Sequence, residues 1–202
     1  MLVSLLPLFP LDIVLFPGAP LPLHIFEPRY KEMIGECLEQ EIPFGMVRVR
    51  ENALSHVGCT AVILSVTKKY GDGRMDIVTE GKQRFEILQL NQERSFLRGE
   101  VKFLEDQASY VAKAQMDTVL QLHQELFAVL GQTAEASPEV PSLSFHLAHE
   151  LPVDLDFKQT LLEMKSEAER IETLIEYYRA SIPKVEKTLR VRDKAVRNGH
   201  VH

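Results

Sequence analysis

His146 and His149 stand three apart in a stretch that reads as helix, with Asp154 and Asp156 shortly after. Imidazole and carboxylate are both zinc ligands, so residues of these types could share a metal ion. No cysteine joins them, and the plainer reading is a solvated helix face; no metal and no cofactor are expected. Glu80 and Arg84 set opposite charges four apart around Gly81, a pairing that could serve acid–base chemistry. Their setting reads instead as a strand and turn held by charge, with Gly81 in a conformation that other residues resist. The pair Gly81-Lys82 suggests phosphate binding, but Gln83 stands where a phosphate loop needs a hydroxyl for magnesium. Asp76 stands where that loop needs its first glycine, and neither G-x-S-x-G nor H-E-x-x-H occurs. The expectation is a protein that is not an enzyme.

Recognition leaves a different trace. Phe9, Phe16, Ile25 and Phe26 could line a groove, yet large apolar residues are usually core. Where the first helix begins, aromatic and charged types mix: Phe26, Glu27, Arg29 and Tyr30. An aromatic anchor among charges is the composition that interaction surfaces favour, so these four are the candidate peptide-binding residues. The basic run Lys184, Lys187, Arg190, Arg192, Lys194 and Arg197, set against Glu186 and Asp193, reads as a solvated helix face.

The elements that must position these residues fall into two halves. Six prolines within the first thirty residues (Pro7, Pro10, Pro17, Pro20, Pro22 and Pro28) rule out helix there. They predict short, extended, edge-like strands, with a turn at Pro17-Gly18. Tyr30, Met33, Ile34 and Leu38 give helical spacing to Glu27–Gln40, with Pro28 suited to the first turn. Strands are expected over 44–49, 57–70, 75–90 and 96–104, with Tyr70-Gly71-Asp72-Gly73 as a hairpin turn. A long helix marked by Met116, Val119, Leu120, Leu126, Phe127 and Leu130 ends at Gly131. A loop at 134–141 and a short helix at 142–150 follow, then a helix capped by Asp154. The last helix opens with the capping box Ser166-Glu167-Ala168-Glu169 and stops near Asn198-Gly199.

Three blocks then carry a resemblance. The first comprises Leu6-Pro7-Leu8-Phe9-Pro10-Leu11-Asp12, Phe16-Pro17-Gly18 and Leu21-Pro22-Leu23-His24-Ile25-Phe26-Glu27-Pro28-Arg29-Tyr30. The second comprises Gly58-Cys59-Thr60-Ala61, Asp72-Gly73-Arg74 and Glu80-Gly81-Lys82-Gln83-Arg84-Phe85. Leu151-Pro152, Lys158-Gln159, Leu161-Leu162-Glu163 and the helical run to Arg192 make the third. Together they resemble the N-terminal domain of the Lon ATP-dependent proteases, most nearly its stand-alone bacterial form without ATPase or protease domains. The resemblance implies an α+β fold: a β-rich PUA-like pseudobarrel at 1–104, followed by a helical bundle at 105–202. It also implies non-catalytic recognition of polypeptide, either unfolded segments or a partner protein. RNA binding by a PUA-like fold and a small enzyme with an unrecognised site are the alternatives.

Composition agrees. The 202 residues are 45% hydrophobic and 26% charged, with net charge −6, which counts against a general nucleic-acid binder. Cys37 and Cys59 are expected to be buried, reduced thiols. The N-terminus has no basic leader, and its prolines spoil any membrane helix, so a cytoplasmic protein with no membrane partner is expected.

Overall fold

Residues 3–51, 53–134 and 141–198 are described by a computed structural model. Among these described residues, seven strands and five helices make a β-rich sheet plus helices, in the order β1 (Val3–Leu11), β2 (Pro20–Ile25), α1 (Pro28–Gln40), β3 (Phe44–Arg50), β4 (Ala53–Leu54), β5 (Val57–Lys69), β6 (Met75–Asn91), β7 (Arg98–Phe103), α2 (Lys113–Val129), α3 (Leu143–Glu150), α4 (Leu155–Glu163) and α5 (Glu167–Asn198). The helix stop expected at Gly199 lies outside the described residues.

Strand pairing runs β1–β7–β6–β5–β3 and returns from β3 to β1, so five strands close a ring. β1 makes the closure by changing neighbours along its length. Val3–Pro7 pairs antiparallel with β7, whereas Leu8–Leu11 pairs parallel with β3. The prolines had pointed to an edge strand here, and β1 is not one. Each half of β1 has its ladder on a different neighbour, so Pro7 and Pro10 can be accommodated without an uninterrupted ladder on either side. Inside the ring, Leu6, Leu8, Val47, Phe85 and Val101 form a core cluster. Phe9, Phe16 and Ile25 are also buried.

β2 is an edge strand, paired with β6 alone among the described residues. The Gly81 amide donates to the Ala19 carbonyl, which fixes the odd-numbered positions of β2 as those bonded to β6. Pro20 and Pro22 therefore take the outward positions, where their missing N–H groups leave little for a further strand to bind. Gly81 does not need the unusual backbone conformation that the sequence suggested, because its φ is not positive. It is needed for space: a Cβ there would lie 2.1 Å from the Phe16 carbonyl oxygen.

Two compact units result, 1–106 with 148–165 and 107–147 with 166–202. In the first, α4 is tied to the strands by polar contacts. Arg48 donates to Asp12 at 3.0 Å and to Asp156 at 2.7 Å, Arg50 donates to Asp156 at 2.6 Å, and the Gln159 amide donates to the Val57 carbonyl at 3.0 Å. The buried Arg84 guanidinium donates to the carbonyls of Leu162 and Met164 at 2.7 and 2.6 Å and pairs with Asp106. In the second unit, the fully buried Arg170 donates to Ser144 at 2.7 Å and Glu167 at 2.6 Å, with Phe145 under its guanidinium at 4.1 Å. The Tyr178 hydroxyl and His123 Nδ1 share a 2.7 Å bond in that unit's core. As expected, Asp154 caps α4 through the Phe157 amide, and the Ser166 hydroxyl accepts from the Glu169 amide.

Candidate binding surface

The four candidate residues sit where β2 runs into α1, and they divide by exposure. Phe26 is 57% exposed and Arg29 is exposed, whereas Glu27 is half-buried and Tyr30 is only 6% exposed. Tyr30 lies with its ring stacked on Phe9 at 4.0 Å. Burial pushes its hydroxyl pKa up, although the adjacent Arg29 pulls the other way. Arg29 lies over the outer side of this ring at 4.6 Å and pairs with Glu27 at 2.8 Å. Pro28 opens α1 as the sequence predicted.

Register brings in residues the sequence reading did not single out. His24 faces Asp76 as a non-hydrogen-bonded pair of β2 and β6, the kind in which side chains approach most closely. His24 Nδ1 and Asp76 Oδ1 are 2.5 Å apart, and the Tyr70 hydroxyl donates to Asp76 Oδ2 at 2.8 Å. These bonds hold the Asp76 carboxyl below the usual carboxylate range, His24 contributing most. The His24 ring stacks near Phe26 at 5.9 Å and meets Tyr70 edge-on at 5.8 Å. Lys68 and Arg74 both lie against the Tyr70 ring, at 4.6 and 5.0 Å. The β5–β6 hairpin tip meets α1 where Lys31 Nζ donates to the Asp72 carbonyl at 2.8 Å. Three elements distant in sequence thus build one aromatic and charged surface. The hairpin turn was legible in sequence; its landing place beside His24 and Lys31 was not.

At the other end of α1, a largely apolar groove of about 340 Å³ is lined by Cys37, Leu38, Ile42, Pro43, Val62 and Ile63, with Glu41 as its charged member. Both thiols are buried and free, and burial pushes each up to about 12, so neither is a nucleophile at neutral pH.

The residues weighed for catalysis are not assembled. Glu80 pairs with Lys82 and not with Arg84, whose guanidinium is fully engaged by α4's end and Asp106. Asp154 caps a helix, and Asp156 receives Arg48 and Arg50. Among the described residues, no three His, Cys, Asp or Glu side chains come close enough to hold a metal ion. Nor is any helix there long and apolar enough to cross a membrane.

This β-rich fold is shared with solved Lon N-terminal domains. A Lon N-terminal domain protein from Xanthomonas campestris superposes with a TM-score of 0.70 at 25% identity, covering 86% of this chain and 98% of that one. The N-terminal domain of a Mycobacterium avium complex Lon protease has the same fold, with a TM-score of 0.63 at 17% identity and coverage of 87% and 98%. Lon protease 1 of Hydrogenovibrio crunogenus is 24% identical over 201 residues, 91% of this chain and 24% of that one. The Lon protease of Cytophaga hutchinsonii is 27% identical over 197 residues, 86% of this chain and 24% of that one. The chain thus spans about a quarter of the length of these curated relatives. Residues 5–179 match the ATP-dependent protease La (LON) substrate-binding domain, and the chain belongs to that family.

Proposed function

We propose that this protein binds polypeptide, as unfolded segments or a protein partner, without catalysing a reaction, through the surface around Phe26, Glu27 and Arg29. Its β-rich part is read as a PUA-like pseudobarrel, a reading supported by the closed strand ring, and the helices after residue 105 as a bundle. Membership of a substrate-binding family supports recognition in general. The observation that carries the site is Phe26: a large aromatic side chain left 57% exposed beside the His24 ring and a flanking ion pair. Exposed aromatics of this kind act as anchors, because they bury much apolar area with little loss of side-chain freedom. Glu27 and Arg29 hold each other beside it and supply polar rim contacts. Tyr30 supports the surface from beneath. Strand addition along β2 is disfavoured by Pro20 and Pro22, so side chains rather than a shared ladder should carry affinity.

The test is titration of a labelled, aromatic-rich unfolded polypeptide. Phe26→Ala should weaken binding by about 1–2 kcal/mol and Arg29→Ala by about 1 kcal/mol, with melting temperatures held. Binding unchanged in both variants would remove the site. The purified 202-residue chain is also expected to neither hydrolyse ATP nor cleave casein, since it contains no phosphate loop and neither a G-x-S-x-G nor an H-E-x-x-H motif. Turnover that survives stringent purification and tracks with the protein would overturn this.

A further inference from the structure

We infer that the surface around Phe26 selects acidic polypeptide segments, those carrying an aromatic or aliphatic anchor flanked by Asp or Glu. This rests on the polypeptide reading above and adds the class of segment. The argument comes from how the local charges are spent. Each carboxylate of the surface already has partners of its own: Glu27 holds Arg29, Asp72 holds Arg74, and Asp76 accepts from His24 and Tyr70. The cations are not all spent. Lys68 lies against the Tyr70 ring, and Lys31 donates to a neutral backbone carbonyl. Neither lysine forms a direct ion pair among the described residues, although Lys31 acts on the Asp72 carboxylate and Lys68 on the Asp76 carboxylate at longer range. Arg74 carries one carboxylate partner while its guanidinium also lies against Tyr70.

The outcome is a local cationic surplus around exposed rings, in a chain whose net charge is −6. A basic segment would be repelled by Lys31, Lys68 and Arg74 and could bind a carboxylate only by displacing an internal partner. An acidic segment meets two lysines that have no direct carboxylate partner to give up, and carboxylates beside an anchor resting on Phe26 would reach them. Single-stranded nucleic acid also combines negative charge with rings that stack. It is disfavoured because Glu27, Asp72 and Asp76 interrupt the positive track that a phosphate backbone would follow. A second copy of this acidic chain is the remaining rival.

The experiment uses the full chain and three labelled peptides of about fifteen residues with identical Phe and Leu anchors. Their flanking residues are Asp/Glu, Ser/Gly or Lys/Arg, and binding is read by fluorescence anisotropy at about 0.1 M salt. Two exposed ion pairs gained predict that the acidic peptide binds about fivefold tighter than the Ser/Gly peptide. Near 1 M salt, where screening acts over about 3 Å, the difference should fall below about twofold. The double variant Lys68→Glu with Arg74→Glu should abolish or reverse the preference, with the thermal melt confirming its fold. If all three peptides bind equally and Phe26→Ala weakens them all, charge selection is overturned while the polypeptide reading stands. If no peptide binds, both fall. An oligonucleotide of equal length binding more tightly than the acidic peptide would overturn the inference. So would a self-association, seen in sedimentation, that the double variant removes.

Discussion

Phe26 and Tyr30 lie four positions apart, one just before α1 and one in its first turn, and two aromatic residues make opposite predictions there. Tyr30 stacks on Phe9 and is almost fully buried, so Tyr30→Ala should cost about 3 kcal/mol of stability, read by urea melts. Phe26→Ala should leave stability within about 0.5 kcal/mol, because an exposed ring has little packing to lose. A Tyr30→Ala variant that melts like the parent would return that ring to the surface. Sequence identified this stretch by its mixture of aromatic and charged types, but mixture does not determine exposure. Exposure here depends on the Phe9 ring arriving from β1, twenty-one positions earlier. His24, Tyr70 and Asp76 were missed for the same reason: nothing local to each of them announces the others.

Among the elements, those with local signals were the legible ones. Pro28 opens α1, the Tyr70–Gly73 turn joins β5 to β6, and Asp154 caps α4, each dictated by a few adjacent residues. The pairing of β1 was hidden, because a strand that changes neighbours midway looks, by its prolines, like an edge. The start of α5 has a consequence for acid stability. Burial alone would push the Glu167 carboxyl up, but the Ser144 hydroxyl and amide and the Arg170 guanidinium outweigh it, and the net shift is downward. A carboxyl lowered on folding adds stability above its unfolded value of about 4.3, and that stability is lost as pH falls through the folded value. Glu167→Gln should therefore be less stable than the parent at pH 7 by about 2 kcal/mol, since it removes one charged hydrogen-bond partner from the buried Arg170. The gap between the two proteins should close as pH drops from about 5 toward 3. Urea melts across that range check it, and a gap that widened in acid would contradict the sign.

At the scale of the whole molecule, chain order and spatial grouping part company. The unit built on the strands needs residues 148–165, which return to it after the chain has left for α2 and the start of α3. The dependence is chemical as well as geometric. Without that segment the fully engaged Arg84 guanidinium would lose the Leu162 and Met164 carbonyls, and Arg48 and Arg50 would lose Asp156. Arg84 would keep Asp106 and Arg48 would keep Asp12, but each charged hydrogen bond lost costs about 1.5–3 kcal/mol, and together they are a large share of the stability of a domain this size. A fragment of residues 1–106 alone should then be marginal or unfolded. The same fragment with a flexible Gly/Ser linker replacing 107–147, and 148–165 restored, should recover a cooperative urea transition and dispersed amide resonances. Arg84→Met in the joined fragment should reduce the dependence on 162–164 by removing the charge that needs those carbonyls. A 1–106 fragment as stable as the joined one, within about 1 kcal/mol, would show that the polar ties of α4 are peripheral and that the strand ring suffices by itself.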